Sequence, residues 1–146
     1  CDAKCADIVT GTGAVLPWVD ELRYLGIFIV KSRKFRCSLE HAKKSCYRVI
    51  NAIFGKIGRV ASEEVILELV SKKCIPILLY GLEVIPLTNS DKKSLDFVIN
   101  RLFMKLFKTG NIETVQQCQL YFGFELPSTQ LERRAAIFLL KCGDGV

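Results

Sequence analysis

The hydrophobic period changes at Ser38, and that change limits the folds open to this chain more than any other feature. Before it, short apolar runs are punctuated by turn residues, the pattern of strands. Residues 4–9 predict a short strand that ends in the turn sequence TGTG, at Gly11 and Gly13. Residues 14–19 predict a second strand, interrupted by Pro17 and therefore at an edge or irregular. RYLGIFIV, residues 23–30, is rich in aromatic and β-branched residues and predicts a third. Short links between them predict an antiparallel meander. Three such strands cannot cover both of their own faces, so they imply a larger sheet.

From Ser38 onward the apolar residues recur about every 3.6 positions. Leu39, Ala42, Cys46, Val49, Ile50, Ile53 and Ile57 fall on one side of a first helix, with Ser38 as its expected N-cap and Glu40 in its first turn. Gly55 and Gly58 weaken its end. A second helix is expected after Ser62, with Val65, Ile66, Leu69 and Val70 as its apolar side and a kink or stop at Pro76. A third starts near Ser90. Leu95, Val98, Ile99, Leu102 and Leu106 form its buried side, and Phe97, Phe103, Met104 and Phe107 extend that nearly all round, which predicts a central helix. A fourth spans about 112–122, and a fifth follows Pro127 to about residue 140. The expected fold class is α+β, mostly α: a short β-meander over 1–34, then a bundle of about five helices over 35–146.

Charge is as uneven as period. The chain of 146 residues carries a net charge of +6. Residues 31–59 hold nine Lys or Arg and one acid, Glu40; the other 117 residues hold twelve basic and fourteen acidic side chains. The whole positive excess therefore sits in one segment, the footprint of a polyanion partner. Four of its charges, Lys31, Arg33, Lys34 and Arg36, crowd into the link ahead of the first helix. On that helix, Lys44, Arg48, Asn51, Gly55 and Arg59 line up opposite the apolar side, flanked by Lys43 and Lys56. A row of one sign gains nothing from internal pairs. It suits a helix lying along a sugar-phosphate backbone, with Gly55 allowing close approach. It also suits an ordinary solvent face, and these residues alone leave both readings open. Gly26, inside the expected third strand and preceded by Arg23 and Tyr24, predicts a bulge or a close backbone contact.

Several function classes are excluded. The GTG at 11–13 is followed by no helix and no Lys-Ser/Thr pair, so it is not a phosphate-binding loop. Seven cysteines, at 1, 5, 37, 46, 74, 118 and 142, form no CxxC pair and no even framework, and His41 is the single histidine. This fits reduced thiols in a nuclear or cytoplasmic protein, with neither a zinc site nor a Cys/His nucleophile. Glu63 and Glu64 sit at a helix start, where the helix dipole explains them. The longest apolar run, 74–82, contains Pro76 and is too short to span a bilayer. No catalytic residue and no metal ligand are assigned. The missing initiator Met, the opening at Cys1 inside a strand pattern and the closing CGDGV predict a piece of a longer protein.

The order of blocks carries a resemblance. YLGIFIV, the link SRKFRCS, NAIFGKIGRVASEEV, KCIPILLYGLEVIPL, SLDFVINRLFMKLFKTGNIETV and CQLYFGFELP follow one another over about residues 3–134. That string resembles the C-terminal part of the reverse transcriptase of non-LTR (LINE-type) retrotransposons. The resemblance implies that 1–34 is the end of a palm and 35–146 a helical thumb. Arg23, Tyr24, Leu25 and Gly26 match the strand that helps to build the primer grip. The basic link and first helix match the passage from palm to thumb, which holds primer–template duplex. The partners implied are an RNA–DNA hybrid or other duplex and the missing fingers and palm, with self-association through exposed apolar surface a further expectation. The Mg²⁺ of the intact polymerase is held by palm carboxylates. No Tyr-x-Asp-Asp occurs here, so no cofactor and no activity are expected of this piece alone. The tail after Arg134 fits the family less well. The rival expectation is a domesticated or degenerate helical module that binds protein and has no nucleic-acid role.

Overall fold

The architecture changes where the period does. The computed structural model describes residues 6–143, in an α+β fold that is mostly helical. Its strands are β1 (Ile8–Val9), β2 (Val15–Leu16), β3 (Glu21–Tyr24) and β4 (Ile27–Val30). Its α-helices are α1 (Glu40–Ile57), α2 (Glu63–Leu69), α3 (Ile75–Leu78), α4 (Asn89–Leu106), α5 (Ile112–Tyr121) and α6 (Pro127–Gly143). One π turn, Val70–Cys74, joins α2 to α3, so the bundle has five rods. The first residues of the expected strand over 4–9, Cys1 and Cys5 lie outside the described residues, as does the chain after 143.

The strands do not make the expected meander. β1 pairs antiparallel with β2, Ile8 opposite Leu16 and Val9 opposite Val15. β3 pairs separately with β4, Glu21 opposite Val30 through Tyr24 opposite Ile27. RYLGIFIV is therefore no single strand but a hairpin with its turn at Leu25 and Gly26. Both turn residues have positive φ, 47° and 84°, which a two-residue hairpin turn of the I′ kind requires. Gly26 is thus a turn residue rather than a bulge. The expected close contact is nonetheless there, because a Cβ on Gly26 would stand 3.3 Å from the Tyr80 ring.

The second hairpin is stitched onto the helices. β4 is half-buried, and Ile27 packs against the core beside Gly81. The chain then returns along β4: the Val30 N–H donates to the Arg36 carbonyl at 3.1 Å and the Ser38 N–H to the Phe28 carbonyl at 2.7 Å. The basic link is therefore a closed loop. Leu39, not Ser38, is the cap of α1: its carbonyl accepts the first intrahelical bond, from the Lys43 N–H, and no side-chain bond accompanies it.

Pro76 neither ends nor breaks the second rod. Proline offers no N–H to the ladder. The Ile75 N–H reaches five residues back to the Val70 carbonyl, and this widened turn carries the helix past Pro76. Ile66, Leu67, Val70, Cys74, Ile75 and Leu78 are buried along this rod, whereas Val65 is exposed.

α4 lies against its neighbours with Leu95, Val98, Ile99, Leu102 and Phe103 buried. Its start is fixed by a capping box: the Asp91 N–H donates to Thr88 Oγ1 and the Thr88 N–H to Asp91 Oδ2. The apolar girdle expected around α4 is incomplete, since Phe97 is 54% exposed. At the far end Phe103, Phe107, Phe122 and Phe124 pack ring on ring, with centroids 5.3–5.8 Å apart, and fix α5 and its following loop to α4. Two polar contacts set α5 and α6. Buried Gln119 donates to Asn100 at 2.8 Å, and Asp96 accepts from the Ser128 N–H at 2.9 Å, capping the first turn of α6. Among the described residues no helix is long and apolar enough to cross a membrane.

Candidate nucleic-acid interface

The nine cations of residues 31–59 divide by position. Three of those in and near the link face acids. Lys31 lies 3.6 Å from Asp20, and Arg36 lies 4.0 Å from Asp91. Lys43 points toward α4, pairs with Glu40 and donates to Ser94 Oγ at 3.0 Å. Its hydrogen bond holds the Glu40 carboxyl below the usual range. Lys43 is thus half-buried and off the outward row. Arg33 and Lys34 are exposed at the tip of the loop.

The outward row of α1 is different. Lys44, Arg48, Asn51, Gly55 and Lys56 are all exposed on it, and Arg59, expected on the helix, is exposed in the turn just past its end at Ile57. Glu40 feels Lys44 one turn away without ion-pair contact. Among the described residues no carboxylate lies within ion-pair distance of Arg48, Lys56 or Arg59. No acid occurs between His41 and Ser62, so no residue one turn away on α1 can neutralise them. A Cβ on Gly55 would meet nothing within 4 Å. The row is open to anything that approaches it.

The strand residues stand elsewhere. Arg23 holds its guanidinium 5.7 Å from the centre of the Phe28 ring. That ring stacks on His41 at 3.6 Å, and His41 Nε2 is 3.4 Å from Glu21 Oε2. Arg23, Gly26, Phe28, His41, Ser45 and Tyr80 are among the residues lining a cleft of about 380 Å³ at the start of α1. Tyr24 is exposed on β3. Arg23 and Gly26 therefore share a cleft with one another, while the α1 row continues away from it.

One neighbour of the row was not expected from the sequence. Lys105, on α4, donates to Asn51 Oδ1 at 3.2 Å and stands 4.7 Å over the Phe54 ring. The available signal was the spacing of Arg101 and Lys105, four apart with no acid from 97 to 112. The surrounding phenylalanines hid it by suggesting a helix apolar on every side.

No protein-family model, curated protein or solved structure matches the chain. Cys37, Cys46, Cys74, Cys118 and Cys142 are free thiols. A hydrogen bond to Cys74 and burial both push the Cys46 thiol upward, which makes it a poor nucleophile. Among the described residues no group of three His, Cys, Asp or Glu side chains gathers as a metal site.

Proposed function

We propose that this chain grips duplex nucleic acid, as the palm end and thumb of a reverse transcriptase of the non-LTR retrotransposon type. One observation carries the reading: Arg48 and Lys56 on α1 and Arg59 just past its end stand exposed, without carboxylate partners among the described residues, around Asn51 and an unobstructed Gly55. A folded protein normally leaves surface cations interspersed with acids; a one-sign row repels itself and gains most when phosphates replace its counterions. The partner proposed is an RNA–DNA hybrid or a related duplex. The Mg²⁺ that the intact polymerase uses belongs to carboxylates outside this chain, and no step is assigned to it.

The test is hybrid binding as a function of salt. Lys44→Ala, Arg48→Ala and Arg59→Ala should each weaken binding and flatten the plot of log affinity against log salt by up to about 0.9 for each phosphate left without its cation, the B-DNA value. Unchanged affinity and slope in all three would identify the row as plain solvent surface.

A second reading has its own support. Ile8, Val9, Val15, Leu16, Trp18, Val19 and Leu22 are all exposed on the two hairpins and the link between them. Apolar area of that kind suits a protein partner, either the remainder of a polymerase or a second copy of this chain.

A further inference from the structure

We infer that the anion-binding surface is two helices wide, and that Arg101 and Lys105 of α4 contact duplex phosphates beside the α1 row. The inference rests on the nucleic-acid reading of that row and extends it to residues outside the basic segment.

Two contacts set the geometry. Lys43 meets Ser94 near the starts of α1 and α4, and Asn51 meets Lys105 farther along both. The helices therefore run side by side in the same direction. Arg101 precedes Lys105 by four residues and lies on the same side of α4. Arg48 precedes Asn51 by three residues and lies on the same side of α1. The seam between the helices is thus bordered by Arg48 and Asn51 on one side and by Arg101 and Lys105 on the other.

The partners of these cations favour a phosphate ligand. Elsewhere on the helices, three cations are paired with carboxylates: Lys72 with Glu68 at 2.6 Å, Lys92 with Glu132 at 2.7 Å, Arg133 with Glu125 at 2.9 Å. On the seam they stand over aromatic rings instead. Lys105 is 4.7 Å from the centre of Phe54, and Arg101 is 5.9 Å from the centre of Phe97. A ring face orients a cation without neutralising it. Asn51 likewise offers Lys105 a neutral oxygen. Residues 97–112 contain no acid, and neither do 41–62, so the surface keeps its full positive charge on both helices. Oriented, uncancelled cations on a rigid pair of helices are suited to a regular array of phosphates. Phe97, unexplained as a core residue because of its exposure, gains a role as the platform for Arg101.

The test uses the full chain and a labelled RNA–DNA hybrid, with binding measured across a salt series. Arg101→Gln and Lys105→Gln remove charge while keeping a donor, and Gln at 105 retains an amide able to reach toward Asn51. Each should lower affinity by roughly threefold to tenfold at moderate salt and flatten the salt slope. Lys72→Gln, away from the seam, controls for net charge, and thermal melting checks that each variant folds. Unchanged binding in both α4 variants, with Arg48→Gln still weakened, overturns the inference and leaves the α1 reading intact. If Arg48→Gln also binds as the parent does, together with Lys44→Ala and Arg59→Ala, the α1 reading falls as well. An equal loss in Lys72→Gln overturns the inference too, because bulk charge would then account for the effect.

Discussion

Leu25 occupies a backbone conformation that few residues with a Cβ adopt. Its φ of 47° lies in the left-handed region, at the first central position of the β3–β4 turn, and its side chain is exposed. Asparagine tolerates that region because its short polar side chain can bond locally. Leu25→Asn is therefore expected to raise stability by about 1 kcal/mol, seen as a higher midpoint in thermal or urea unfolding. A lower midpoint would mean that the Leu25 side chain makes a contact worth more than the strain. Asp91 supplies a second residue-scale outcome. The Thr88 hydroxyl bonded to it holds its carboxyl below the ordinary value of 3.8. The folded state thus favours the ionised form, and that stabilisation is present above pH 3.8 and lost as pH falls through the lowered folded value. Thr88→Val also removes the acceptor for the Asp91 N–H, a loss of about 1 kcal/mol that does not depend on pH. The stability gap between Thr88→Val and the parent should be widest near neutrality and narrow in acid, without closing. A gap that widens in acid would contradict the bond.

At the scale of elements, the sequence made the helices legible and the hairpins much less so. A helix of eighteen residues repeats its apolar signal several times, and α1 and α4 lie close to where periodicity puts them. A strand of two or four residues repeats it once or twice. The β3–β4 turn was hidden because Leu25 and Gly26 continue the apolar run, with no Asn or Asp to signal a reversal. Caps were half legible. Ser38 has a capping side chain, but the cap falls one residue later, at Leu39, which local sequence does not display. Most of the proposed interface was legible from charge clustering on α1. Its contribution from α4 was not, because contact between two helices fifty residues apart leaves no local trace. Within α4, Phe103 is fully buried and packs against Phe107 and Phe124. Phe103→Ala should cost about 3–5 kcal/mol by leaving a cavity where α4 meets the loop after α5. Denaturant unfolding measures this, and a loss below about 1 kcal/mol would show that the aromatic cluster closes over the gap.

For the molecule as a whole, charge and apolar exposure are segregated. Cations without carboxylate partners gather along α1 and α4, and the open aliphatic and aromatic side chains of residues 8–25 lie on the hairpins and the link between them. Trp18 is 60% exposed and Leu16 49%, and neither contributes to the core. Removing them should therefore leave the bundle as stable as before, since surface substitutions clear of packing and bonding networks shift stability little. Water contact with so much apolar area favours its burial against another surface. With no second protein in solution, the available surface is a further copy of the same chain. The isolated chain is thus expected to self-associate, increasingly with concentration, and added salt should not disperse it, because burial of apolar area carries the contact rather than ion pairs. The double variant Leu16→Lys, Trp18→Ser should sediment as a monomer with an unchanged melting point. Sedimentation of the parent as a monomer over the same concentration range would show that the hairpins are tolerated in water and need no partner. Association that survives in the double variant would place the contact elsewhere, with the exposed Ile137 to Leu140 stretch of α6 the next surface to alter.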